Sequence, residues 1–145
     1  LVGRFKGVAS FHVTDPVSKN YPGKIETPVE KLDSLARRHP STRFLFAHFG
    51  GLLYNQNTLP PPENVWFDTA AASLLYDASA YRKFCDAFGS DRLLFGSDYP
   101  LRVFPRRESS PDFAGPIEPI ARSDLRPADK ARVLGGNAAK LFSLT

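Results

Sequence analysis

Leu93-Leu94-Phe95-Gly96-Ser97-Asp98-Tyr99-Pro100 puts one carboxylate at the exit of a strand whose earlier positions are almost all apolar. A continuous apolar run of this length is the mark of a strand covered by helices on both faces, as in a parallel sheet. An acid at the carboxyl end of such a strand sits where α/β folds gather their chemistry. The same plan recurs twice. His12 follows Val8-Ala9-Ser10-Phe11, and His48 follows Phe44-Leu45-Phe46-Ala47. Two of the chain's three histidines therefore close apolar strands.

Outward from these strands, the order of elements is regular. A strand is expected from Gly7 to Val13, then a long polar loop through Asp15-Pro16, Asn20 and Tyr21-Pro22-Gly23-Lys24. Loops of this length within compact domains are commonly functional. Thr27-Pro28-Val29-Glu30 predicts a helix start, with Thr27 as cap and Glu30 completing a capping box. Val29, Leu32, Leu35 and Ala36 recur at helical spacing until Pro40. Strands are expected from Arg43 to His48, Asn64 to Asp68 and Arg92 to Asp98. Between the last two, Asp77 is placed to cap a helix that Gly89 ends. Beyond a Pro-interrupted stretch from Pro111 to Ala121, Pro127 opens a last helix. Gly135-Gly136 marks its end, and Asn137 is placed to cap a short turn through Phe142. Strand followed by helix about four times predicts right-handed βαβ units and a parallel sheet. Since a closed (β/α)₈ barrel takes about 250 residues, the arithmetic points to half of one.

Composition narrows the class. A chain of 145 residues with 42% hydrophobic and 23% charged residues is ordinary for one globular domain. No window approaches the roughly 20 apolar residues of a membrane span, and the first residues lack a signal-peptide pattern, so a cytoplasmic location is the expectation. Cys85 is alone, which excludes an internal disulfide and a Cys-rich zinc module; between Phe84 and Phe88 it reads as a core thiol. The net charge of +4 is spread over basic residues that alternate with acids, so neither nucleic acid nor membrane is an expected partner. The chain contains no methionine and begins at Leu1, and the expectation is of a fragment.

Imidazole and carboxylate together suit a borderline cation such as zinc. A barrel collects side chains from many strand ends on one face, so His12, His48 and Asp98 can converge without tight sequence spacing. Each also has a plainer reading. A strand histidine is often a hydrogen-bonded core residue, Gly50-Gly51 after His48 serves a turn as readily as a ligand, and Asp98 can cap the loop through Tyr99-Pro100.

Phe11-His12-Val13, Ala47-His48-Phe49-Gly50-Gly51, Asn64-Val65-Trp66-Phe67-Asp68-Thr69-Ala70-Ala71, the stretch from Leu94 to Pro100, and Leu134-Gly135-Gly136-Asn137-Ala138-Ala139-Lys140-Leu141-Phe142 together resemble the carboxyl-terminal half of the amidohydrolase-2 family. These are metal-dependent TIM-barrel hydrolases and related decarboxylases acting on small molecules. The resemblance implies that the four strands correspond to the fifth through eighth strands of the barrel. It implies His12 as a metal ligand, His48 as the sixth-strand histidine that binds metal or activates water, and Asp98 as the acid that binds metal and shuttles a proton. A divalent metal, zinc by ligand type, is the implied cofactor.

The family's His-x-His pair on the first strand has no counterpart in this sequence, since the remaining histidine, His39, precedes Pro40 at the end of a polar helix. The chain is thus expected to hold half of a metal site. Its partner would be a missing amino-terminal half-barrel or another copy of itself; the rival reading is a non-catalytic half-barrel module. Lys24 and Arg102 are the candidates to hold a substrate carboxylate, although a solvated lysine is the plainer reading of Lys24. Arg106 and Arg107 read as a solvated edge, Asp68 as a pocket residue or a cap for the turn at Ala70, and Trp66 as packing between sheet and helix.

Overall fold

Aromatic and β-branched runs between polar breaks form the strands. In the computed structural model, which describes residues 2–16, 18–20, 22–52, 60–100, 110–111 and 113–144, these are β1 (Val8–Phe11), β2 (Arg43–Phe46), β3 (Val65–Asp68) and β4 (Leu93–Leu94). All pairs are parallel and the spatial order is β1-β2-β3-β4, so each strand lies beside its successor in the chain. Between and after them lie α1 (Val29–Arg38), α2 (Ala72–Leu75), α3 (Ser79–Phe88), α4 (Ala114–Arg122), α5 (Pro127–Ala131) and α6 (Asn137–Phe142).

The register sorts the side chains by face. Ala9 pairs with Phe44 and Phe44 with Val65, while Phe11 pairs with Phe46, Phe46 with Phe67 and Phe67 with Leu93. These residues meet Val29 and Ala36 of α1 and Ala80, Tyr81 and Phe84 of α3 in one hydrophobic core. The alternate positions, Ser10, Leu45 and Trp66, are aligned on the opposite face, where Ser10 is exposed and Leu45 and Trp66 are half-buried. Trp66 therefore packs away from the helices rather than between sheet and helix. The register alternates faces at every residue, and Val65 and Phe67 already take the helix side.

The two edges of the sheet differ. On the outer side of β4, the Leu93 carbonyl accepts from Asn137 Nδ2 (2.7 Å) and the Phe95 amide donates to the Val133 carbonyl (2.8 Å). The carboxyl-terminal segment thus covers that edge, a standard defence against unwanted strand pairing. Among the described residues, β1 has β2 as its single strand neighbour, and its outer edge is open.

Helix ends depart from the sequence-based expectation in three places. Pro28, not Thr27, is the cap residue of α1, and no side chain caps it. Thr27 Oγ1 instead accepts from the Thr14 amide (2.9 Å), tying the loop after β1 to the start of α1. Nor do Gly135 and Gly136 stop the last helix: α5 runs through a π-helical turn, Arg132–Gly136, into α6. Asn137 is therefore not a cap, and its amide reaches both Ser90 and Leu93 carbonyls at 2.7 Å. At α3 the cap residue is Ala78, one position after Asp77, whose Oδ1 still accepts from the Ser79 amide (2.7 Å), and Gly89 ends that helix at φ +88°.

A second tie holds α5 beneath β4. Asp129, 5% exposed, accepts from Ser90 Oγ (2.6 Å), Arg126 Nε (2.7 Å) and Arg132 Nη1 (2.8 Å). The Arg126 hydrogen bond, then that from Ser90, depress its carboxyl to about 2. A carboxylate held lower in the folded chain than in the unfolded one adds stability above its unfolded pKa and loses it as pH falls through the folded value. The melting temperature is therefore expected to fall between about pH 4 and pH 2, and in Asp129→Asn that part of the pH dependence should flatten when both are followed by circular dichroism. The neighbouring Cys85 thiol is pushed up to about 12 by burial and the surrounding carboxylates, consistent with a core thiol and not a nucleophile.

Candidate active site

The exits of β1 and β2 bring two imidazoles together. His12 Nδ1 and His48 Nε2 are 3.1 Å apart, with the rings edge to face at 75°. His48 is 7% exposed, whereas His12 lies at the surface. The tautomers follow from the third partner. His48 Nδ1 is 2.7 Å from the Ala70 carbonyl, which can only accept, so Nδ1 carries the proton. In the neutral ring Nε2 is then an acceptor, His12 donates to it from Nδ1, and the other nitrogen of His12 keeps its lone pair. Desolvation, followed by the charge of His48, holds His12 below the usual imidazole range, and Asp98 opposes both.

The backbone that carries His48 is unusual. His48, Phe49, Gly50, Gly51 and Leu52 all have left-handed φ values, +60°, +53°, +61°, +62° and +53°. Glycine adopts this conformation freely, but each of the other residues costs about 1–2 kcal/mol there. Phe49 anchors the turn: it is 1% exposed and packs against Tyr81 (5.4 Å between ring centroids) and Phe84 (5.2 Å). Gly50-Gly51 thus serves the turn that follows β2 and presents His48 at its first position.

Asp98 lies at the surface beyond β4 with φ +55°, and its charge acts on both His12 and Asp68. Lys24 is engaged within its own loop, where Nζ donates to the Ser18 carbonyl (2.6 Å). Arg102, Arg106 and Arg107 fall outside the described residues.

One contributor was legible only as a choice between pocket residue and cap. Asp68 Oδ1, at the end of β3, accepts from the amides of both His48 (3.1 Å) and Ala70 (3.0 Å). Burial pushes its carboxyl up, and the two amide bonds pull it back. The exit of β4 presses against it. A Cβ at Gly96 would lie 3.1 Å from Asp68 Cγ and 3.1 Å from the Ala70 nitrogen, so a side chain there would push the two exits apart by a few tenths of an ångström. The signal in the sequence was an acid at a third strand exit.

Two imidazoles and a carboxylate are donor types that fit a borderline divalent cation. Among the described residues, however, no three His, Cys, Asp or Glu side chains stand close enough together to hold one. A cavity of about 450 Å³ lined by Arg82, Cys85, Ser90, Arg126 and Asp129 includes none of His12, His48, Asp68 and Asp98. Among the described residues no helix is long and apolar enough to cross a membrane.

Comparison with known proteins bears on the family and the fold. The chain is 39% identical over 59 residues to an L-fucono-1,5-lactonase from Burkholderia multivorans, a match covering 41% of the chain and 19% of the lactonase. It superposes on 2,6-dihydroxybenzoate decarboxylase from Rhizobium with a TM-score of 0.69 at 16% identity, covering 99% of this chain and 53% of that one. A dihydroxybenzoic acid decarboxylase from Polaromonas, solved with bound manganese and 2-nitroresorcinol, matches with a TM-score of 0.56 at 17% identity, over 77% of this chain and 37% of that one. The chain thus spans about half, or less, of the length of these relatives. Residues 8–144 match the amidohydrolase-2 family description, "Amidohydrolase", so that nearly the whole chain, strand exits included, belongs to the amidohydrolase-2 family.

Proposed function

We propose that the chain contributes the carboxyl-terminal half of the active site of a metal-dependent hydrolase, its four strands acting as the fifth to eighth of a (β/α)₈ barrel. The observation that carries this reading is the meeting of His12 and His48 at the carboxyl ends of adjacent parallel strands. The open edge of β1 is where further strands would join. The 39% identity to the lactonase over 59 residues is the ground for preferring hydrolysis of an ester-like carbonyl in a small molecule to decarboxylation.

In this reading His12 and Asp98 hold a divalent cation, zinc or manganese, together with a His-x-His pair from the joining strands. When bound, such a cation acts as a Lewis acid and lowers the pKa of water to about 7. Asp98, at the surface, takes the proton of the attacking water. His48 cannot donate from Nε2 in the tautomer that Ala70 imposes, so its role is to accept: the lone pair that here accepts from His12 Nδ1 is, in this reading, given over to the water that it orients. Lys24, on the loop after β1, and Arg102, which follows β4 in the sequence, are the cations assigned in this reading to an anionic group of the substrate.

Metal analysis tests the division of the site. Zinc or manganese is expected to be substoichiometric in the 145-residue chain and stoichiometric in a longer protein carrying the His-x-His strand. Equal, tight loading of both would overturn the proposal. Assays of that longer protein on lactones and on dihydroxybenzoates decide the reaction class, and CO₂ release without lactone opening would replace hydrolysis by decarboxylation.

A further inference from the structure

We propose that Asp68 is a positioning residue that fixes the tautomer and orientation of His48. The inference rests on the reading of His48 as the group that orients water, but its test needs neither cation nor substrate.

Asp68 holds His48 at two points. Directly, Oδ1 accepts the His48 amide at 3.1 Å. Indirectly, the same oxygen accepts the Ala70 amide at 3.0 Å, and the Ala70 carbonyl accepts His48 Nδ1–H at 2.7 Å. Backbone and ring of one histidine are thereby referred to a single carboxylate oxygen. The left-handed conformation of residue 48 takes its amide out of the β ladder, where it would otherwise pair, so the carboxylate satisfies a buried donor.

A turn cap alone does not account for this. Capping the turn at Ala70 needs only the local bond, two residues along the chain. The bond to His48 reaches back twenty residues to another strand exit. The third exit completes the arrangement: the Gly96 amide donates to Thr69 Oγ1 (3.0 Å), and the missing Cβ of Gly96 leaves room for Asp68. Metal-binding and catalytic histidines depend on such outer partners to select which nitrogen carries the proton.

Long-range ¹H–¹⁵N NMR of the imidazoles at pH 8 reads the tautomer directly. The wild-type chain is expected to show His48 protonated at Nδ1 alone. In Asp68→Ala the preference should relax by roughly threefold to tenfold, the worth of one neutral hydrogen bond, giving averaged Nδ1 and Nε2 signals. Asp68→Asn keeps an acceptor oxygen and should restore the single tautomer. A folded Asp68→Ala chain that retains Nδ1–H alone would overturn the proposal, as would an Asn variant as perturbed as the Ala one. Should Asp68→Ala not fold, Asp68→Ser supplies the answer, because its shorter side chain stays polar but draws the acceptor away from the His48 and Ala70 amides. Mixed tautomers support the inference there, and an unchanged one refutes it. Failure of metal loading in the longer protein would remove the hydrolase reading and leave these tautomer results as they stand.

Discussion

In the barrel-completed protein, His48→Asn is expected to lower the rate of lactone or ester hydrolysis by about 10²–10⁴-fold, the usual contribution of a positioned acid–base group. Asparagine is the informative replacement. It tolerates the left-handed backbone at residue 48 better than alanine, and its amide still donates to Asp68, so the fold around the site persists. What it loses is the basic Nε2. Because that nitrogen is asked to act on the water, the loss should fall on kcat, with KM nearly unchanged. His39→Asn is the control: its side chain is exposed at the end of α1, and its rate should match the wild type. Equal losses in both variants, or a loss confined to KM, would remove His48 from the chemistry.

The parts of this site that were visible in the sequence are those that local pattern alone dictates. Apolar runs such as Phe44-Leu45-Phe46 demand a strand, and a polar residue closing such a run must emerge at the carboxyl end of the sheet. His12 and His48 follow from that rule, and the parallel order follows from the helices between the strands. Where the sequence misled, a distant group had competed successfully for a local donor or acceptor. Thr27 carries an ideal helix-capping side chain, but Thr14, thirteen residues away, donates its amide to it first. Gly135-Gly136 has the composition of a helix stop, yet both residues continue in helical conformation, which allows Asn137 to reach back to Ser90 and Leu93. β4 was expected to extend from Arg92 to Asp98 and is only Leu93–Leu94, because the Phe95 amide turns to Val133 and that of Gly96 to Thr69. The same logic hid Asp68: its charge position was readable, but its bond to His48 exists only once β2 and β3 lie side by side.

Stability of the site has its own test, since the left-handed turn after β2 persists only while the core beneath it holds. Phe84→Ala is expected to destabilise the fold by about 3–5 kcal/mol, a large share of the roughly 5–15 kcal/mol by which domains are stable. Phe84 is fully buried, and its ring lies between those of Phe67 on the sheet (5.0 Å), Phe49 in the left-handed turn (5.2 Å) and Phe88 on its own helix (5.1 Å). Phe67 and Phe49 sit on a strand and a turn joined by the Asp68–His48 hydrogen bond, which limits their collapse into the space, so the cavity term adds to the lost transfer energy. Urea denaturation should show a lower midpoint at unchanged slope. The comparison is Phe142→Ala at 44% exposure, which removes the same ring with a much smaller shift. Because Phe49 loses a supporting face in Phe84→Ala, amide exchange at residues 48–52 should accelerate more than exchange in α1. Uniform acceleration across the chain would mean that the turn is held by the fold as a whole and not by this aromatic contact.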